Sequence, residues 1–290
     1  RLLAEAHHRG LRVIGDIGLT HVHRSFAPFQ DVARHGPRSR YWSWFHPYRF
    51  PFQEGPDPGY AHYREENWDE PLLRLEDDEV QQYLSDTFQH WTACGLDGFR
   101  LDAAAEVPLA LCRRLGEAVR QVQPEAVLFA ELIPDNGHRY RDAGGLDAVT
   151  EFVDQQALYD WLWRGTATGA ATARRLAWRR FWRGAPGHAT LGFVGTQDQP
   201  RLGTLVGDRH RTRLGLLCQL LRVPVPLLLY GDEVGLRSGV EGQRFEDVWP
   251  DRRPLPWDEG SWDLPTRDLV RQALRLRRER AALRRGDEEY

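Results

Sequence analysis

Arg100 and Asp102 close a short apolar run, Gly98-Phe99-Arg100-Leu101-Asp102, which continues through Glu106 into a segment opened by Pro108. Alternate residues of an extended chain point to the same side, so the two charged groups share a face. A guanidinium beside a carboxylate favours the ionised acid, and a carboxylate nucleophile must stay ionised. Taken alone, the pentapeptide is as readily a structural ion pair at a strand end. Two further acids shift that balance. Glu131 follows the apolar run Val127-Leu128-Phe129-Ala130, and Asp198 ends the run that starts at Thr190. Three carboxylates, each at the end of its own apolar run, suit retaining glycosidic-bond chemistry. That chemistry sets a carboxylate nucleophile and a protonated acid about 5–5.5 Å apart across the bond. A third acid can bind hydroxyls of the distorted ring.

The elements that must position these groups alternate along the chain. Leu11 to His21 reads as a buried strand interrupted by Asp16 and closed by His21, after a helix that ends at Gly10. A lone histidine is more often packed or solvated than functional, and only its place at the strand's C-terminal end marks His21. Periodicity is lost from Val22 to Asp77, a stretch rich in Pro, Gly and aromatic residues. A loop of that length argues for an inserted subdomain, whose aromatics serve equally as its own core or as sugar-stacking surfaces. Helical patterns over Glu79–Trp91, Leu109–Val122, Arg209–Arg222 and Arg267–Arg285 alternate with apolar strands at 98–102, 127–132, 148–153, 190–198 and 226–233. The last helix is strongly basic and reads as a solvated face. Strand–helix alternation with apolar strands predicts a parallel sheet, and polar strand ends point to a (β/α)8 barrel with its site at the C-terminal face. An open doubly wound sheet is the runner-up, weakened because no glycine-rich phosphate fingerprint follows a strand.

Composition adds bounds. The 290 residues are 41% hydrophobic and 28% charged, and the net charge of −3 gives no reason to invoke nucleic acid or a membrane surface. No apolar run approaches the roughly 18 residues that a membrane helix needs. All 39 basic residues are arginine, which reads as a coding bias. Cys94, Cys112 and Cys218 have no metal-like spacing and are expected to be reduced core thiols of a cytoplasmic protein. Without a methionine, and opening on a helix, the sequence reads as beginning inside a domain.

With these residues in view, the chain resembles the α-amylase family, glycoside hydrolase family 13. Asp16 to His21 is similar to the signature Asp-x-x-x-Asn-His, Gly98 to Asp102 to the one carrying the nucleophile, and Tyr230 to Gly235 to that of the last strand. The resemblance implies Asp102 as nucleophile, Glu131 as acid/base and Asp198 as transition-state stabiliser, with Asp16, His21, Arg100, Glu106 and Gln197 on the substrate. Phe29-Gln30-Asp31-Val32, Tyr41 to Phe45, Glu106 and Arg252-Arg253-Pro254-Leu255-Pro256-Trp257 are similar to the cyclomaltodextrinase, neopullulanase and maltogenic amylase group. It implies a TIM barrel lacking its first two strands, divided into residues 1–21 (barrel), 22–77 (inserted subdomain after the third strand) and 78–290 (barrel). The expected activity is hydrolysis of α-glucosidic bonds in cyclomaltodextrins, pullulan, starch or maltooligosaccharides, without nucleic-acid or membrane partners. Members of the group are often dimers.

Three departures matter. Thr20 stands where the family has an Asn that in many amylases ligates calcium, so no cofactor is assigned with certainty. Ile133 replaces an aromatic, and Gln197 replaces the histidine that hydrogen-bonds substrate hydroxyls. Glutamine donates and accepts but cannot become a cation. Two alternatives stay open at this point: a transglycosylase or glucosyl-isomerising enzyme using the same intermediate, and a catalytically silent carbohydrate-binding barrel.

Overall fold

The computed structural model describes residues 1–133, 137–182, 189–222, 225–238 and 252–285. The chain divides into two compact units, 1–149 and 150–290.

In the first unit, α1 (Leu2–His8) precedes β1 (Ile14–Gly18), α2 (Ala27–His35) lies in the long connection, and α3 (Asp78–Ala93) leads to β2 (Gly98–Asp102). Then come α4 (Leu109–Val122), β3 (Val127–Ala130), α5 (Gly137–Asp142) and β4 (Ala148–Thr150). The strands pair in parallel, with Asp16 opposite Arg100, Gly18 opposite Asp102 and Arg100 opposite Phe129. Phe129 and Ala130 pair with Ala148 and Val149.

Alternation sorts the side chains of these strands. Phe99 and Leu101 are buried on one face, where Phe99 meets Phe88 of α3 at 4.3 Å between ring centroids. Asp16, Arg100 and Asp102 take the other face. Gly98 is obligatory, because at φ 155° an added Cβ would lie 2.0 Å from the Val127 carbonyl oxygen. The Asp77 carboxylate caps α3 by accepting from the Glu79 and Val80 amides. Val80, Leu84 and Phe88 then recur at helical spacing on its buried stripe. The connection builds its own core. Phe29 packs edge-on against Phe45 and Tyr60 and stacks on Phe52, which settles these rings as packing groups.

The second unit holds α6 (Phe152–Leu162), α7 (Gly169–Trp182), β5 (Ala189–Gly192), α8 (Leu202–Val206), α9 (Arg209–Arg222), β6 (Val225–Pro226), α10 (Leu264–Glu279) and α11 (Ala282–Arg285). Strands β5 and β6 pair in parallel through Leu191 and Val225. Leu158, Leu162, Val194, Leu202, Leu216, Leu220 and Val270 form its core.

Several expectations need correction. The strands are shorter than their apolar runs: β3 stops before Glu131, β5 stops at Gly192, and β6 keeps two residues. Hydrophobicity marks burial, whereas a strand needs a partner ladder, and the chain turns away before the apolar run ends. Cys94 is exposed at the end of α3, while Cys112 is buried and its thiol is pushed up to about 12 by that burial. The basic helix α10 is not solvated throughout. Arg277 falls on the stripe of Val270 and Ala273, is buried, and donates to the carbonyls of Leu220 and Leu283. Among the described residues, no helix is long and apolar enough to cross a membrane.

Candidate active site

Arg100 is the hub of the first unit's strand ends. Its Nη1 donates to both oxygens of Asp16, at 2.7 and 2.8 Å, and to Asp102 Oδ1 at 2.7 Å. Its Nη2 lies 3.1 Å from Glu131 Oε2. The parallel register accounts for the gathering. Asp16 and Arg100 are cross-strand partners, Asp102 lies two residues further along β2, and Glu131 lies two beyond Phe129, which is opposite Arg100. One cation thus serves three acids. Burial alone would pull the Arg100 pKa down, but the hydrogen bond to Asp16 and the charges of Glu131, Asp16 and Asp102 raise it overall.

The acids are not equivalent. Glu131 is 12% exposed and Asp102 38%. Burial raises the Glu131 pKa, and the neighbouring Asp102 charge adds to that against the pull of Arg100. That direction favours the protonated form of Glu131, as a proton donor requires. Backbone contacts fix their separation. The Glu131 amide donates to the Leu101 carbonyl at 2.9 Å and the Ala104 amide to the Glu131 carbonyl at 3.1 Å. Ala103, directly after Asp102, adopts φ 45°, and its amide reaches Glu131 Oε2 at 3.4 Å. A non-glycine residue there carries roughly 1–2 kcal/mol of strain. Nothing in the sequence marks Ala103 for this conformation.

His21 lies beyond β1. A Cβ on Gly18, the residue opposite Asp102, would stand 3.7 Å from the imidazole, so the ring folds back over that strand end. Its Nδ1 shares a 3.0 Å hydrogen bond with the Thr20 hydroxyl, and Tyr63 stacks on it with centroids 4.0 Å apart. Thr20 is buried with its hydroxyl committed to His21, and no group of three or more His, Cys, Asp or Glu among the described residues could hold a metal ion. Glu106 is exposed at the end of a short 3-10 turn, and Ile133 is exposed too.

The second unit presents Asp198 differently. Its amide donates to the Thr196 hydroxyl at 3.2 Å, and its carboxylate is held by Arg252, whose Nε also donates to the Gln197 carbonyl at 3.3 Å. Three residues on, Arg201 is fully buried, with Nη1 on the Tyr230 carbonyl at 2.7 Å and on Asp232 Oδ1 at 2.8 Å. The signature from Tyr230 to Gly235 thus anchors the segment that carries Asp198. Gly231 turns at φ 88°, where a Cβ would strike Leu236 at 2.6 Å. Sequence reasoning missed Arg201. An arginine three residues after a strand-end acid was its only signal.

Parallel strands whose C-terminal ends gather three acids around one half-buried arginine define an α/β protein. The model of the α-amylase catalytic domain matches residues 1–263, and the chain belongs to the α-amylase family. Its fold is the (β/α)8-barrel class of that domain. Neopullulanase 2 of Thermoactinomyces vulgaris is 30% identical over 99% of the chain and 48% of its own length. A cyclomaltodextrinase of Thermoanaerobacter pseudethanolicus is 29% identical over 98% of the chain and 49% of its own. The chain thus spans about half the length of the curated relatives it matches. Among solved structures, the ligand-free cyclic α-maltosyl-(1→6)-maltose hydrolase of Arthrobacter globiformis superposes with a TM-score of 0.90. It is 25% identical over 99% of the chain and 63% of that protein.

Proposed function

We propose that the protein is a retaining α-glucan hydrolase acting on cyclomaltodextrins, pullulan, starch or maltooligosaccharides. The observation that carries this reading is the shared guanidinium of Arg100, with Asp102 paired to it and the more buried Glu131 raised in pKa. In the first step an Asp102 oxygen attacks the anomeric carbon while Glu131 gives its proton to the departing glycosidic oxygen, leaving a glycosyl ester. In the second step Glu131, now ionised, takes a proton from water as the water oxygen displaces Asp102, and the anomeric configuration is retained. The family resemblance assigns Asp198 to the hydroxyls of the distorted ring, with Asp16, His21, Arg100, Glu106 and Gln197 as further substrate contacts. It also makes residues 22–77 the inserted subdomain.

The names of the relatives support the substrate class. The carboxylates supply both nucleophile and proton, so no cofactor is assigned to these two steps. A cytoplasmic location is supported by a relative named intracellular maltogenic amylase in Bacillus subtilis, 24% identical over 97% of the chain and 46% of its own length. The test is proton NMR of the first products from β-cyclodextrin and pullulan in the intact protein. α-Anomeric ends released before mutarotation are expected; β-anomers, or no reducing ends from any α-glucan, would overturn the reading.

A further inference from the structure

The exit of the inserted segment folds back on the strand-end histidine in a way that the motifs do not reveal. Thr20 to Arg24 runs antiparallel to Asp69–Leu73. The Val22 amide donates to the Pro71 carbonyl, the Arg24 amide to Asp69 and the Leu73 amide to Thr20, at 3.1, 2.7 and 2.9 Å. His21 pairs with Leu72 across this ladder. Glu70, two residues from Leu72, is therefore a diagonal neighbour on the same side, within reach of a long side chain. Its Oε2 stands 3.9 Å from His21 Nε2 and accepts from Asn67 Nδ2 at 2.7 Å.

That 3.9 Å separation is too long for a direct hydrogen bond. Both groups are nevertheless held. Tyr63 stacks on the imidazole, Thr20 takes its Nδ1, and Asn67 fixes the carboxylate. A carboxylate only accepts, so it favours the tautomer with a proton on Nε2, and Nδ1 then accepts from the Thr20 hydroxyl. What remains is a donor and an acceptor, both partly exposed, facing the same small gap. A hydroxyl oxygen about 2.8 Å from each would complete it, accepting from Nε2–H and donating to the carboxylate.

We propose that Glu70 is a specificity-determining residue which, with His21, brackets one hydroxyl of the bound sugar. The assignment rests on the α-glucan reading above and adds a residue to it. Carboxylates select for hydroxyls by leaving an unmet acceptor when the hydroxyl is absent, so the pair discriminates against the deoxy sugar more than it tightens general binding.

The experiment compares 4-nitrophenyl α-maltoside with its 2-, 3- and 6-deoxy analogues on the ring bearing the nitrophenyl group, using the intact protein and its Glu70→Gln and Glu70→Ala variants. For the parent substrate, kcat/KM is expected to fall about 10- to 100-fold in Glu70→Ala and less in Glu70→Gln, the loss typical of a hydrogen bond to a charged group. For one of the three analogues, the variants and the unsubstituted protein should be nearly equal, which identifies the bracketed hydroxyl. Melting temperatures measured alongside record folding. An equal loss on all four substrates, with or without a drop in melting temperature, would mean that Glu70 only supports the ladder, and would overturn the proposal. Absence of turnover on all four by the unsubstituted protein would overturn it together with the α-glucan reading, whereas a uniform loss leaves that reading standing.

Discussion

The two units hold their strand-end acids in opposite ways. In the first, Asp16, Asp102 and Glu131 share the single guanidinium of Arg100, three acids to one cation, with Glu131 and Arg100 mostly covered and Asp16 and Asp102 open to solvent. In the second, Asp198 has Arg252, and Asp232 has the fully buried Arg201. Each of these ion pairs holds its carboxylate in place. Three acids around one cation differ in setting, and burial together with the Asp102 charge raises the Glu131 pKa. On the proposed reading, bond making and proton transfer belong to the first unit's cluster, whereas Asp198 is held by Arg252.

The sharpest way to break this contrast is to remove the shared cation. Arg100→Met should lower kcat by about 10³-fold or more, since nucleophile and acid lose their common partner. Arg100 pulls the Glu131 pKa down, so its removal should raise that pKa further and move the basic limb of the residual pH–rate profile to higher pH. Steady-state rates from pH 4 to 10 check both; an unmoved basic limb would show that Arg100 does not couple to Glu131.

In the second unit the same operation should affect stability before chemistry. Asp232→Ala breaks the buried ion pair to Arg201, and a cost of about 3–5 kcal/mol is expected. Denaturant unfolding would measure it, with the double variant Arg201→Met, Asp232→Ala expected to recover part of the loss.

The smallest effect should come from Gln197→His. Turnover should rise several-fold with little change in KM, because a contact that strengthens in the transition state affects kcat more than binding. Unchanged turnover would indicate a pocket shaped around glutamine.

Much of this was legible in the sequence because strand-end chemistry is local. Arg100 and Asp102 sit two residues apart on one strand, and helix α4 runs over the residues its pattern predicts. What was hidden depends on pairing across distance. Glu70 reaches His21 only through a ladder formed by an aperiodic, Pro-rich segment, and Arg252 meets Asp198 from 54 residues away. Ala103 was hidden for another reason. Its left-handed backbone is imposed by amide contacts to Glu131, whereas its own residue type argues against it. Strand ends were overestimated wherever an apolar run continued into buried loop, as from Phe193 to Thr196.

The division of roles between Asp102 and Glu131 is tested most directly by trapping. Glu131→Gln, incubated with α-maltosyl fluoride, needs no proton donor for its first step and lacks the base for its second. Peptide mass spectrometry should then find a maltosyl adduct on Asp102, released by azide as the β-maltosyl azide, while Asp102→Asn should form no adduct and gain nothing from azide. An adduct on Asp198 or Asp16, or azide rescue of the Asp102 variant, would contradict the account.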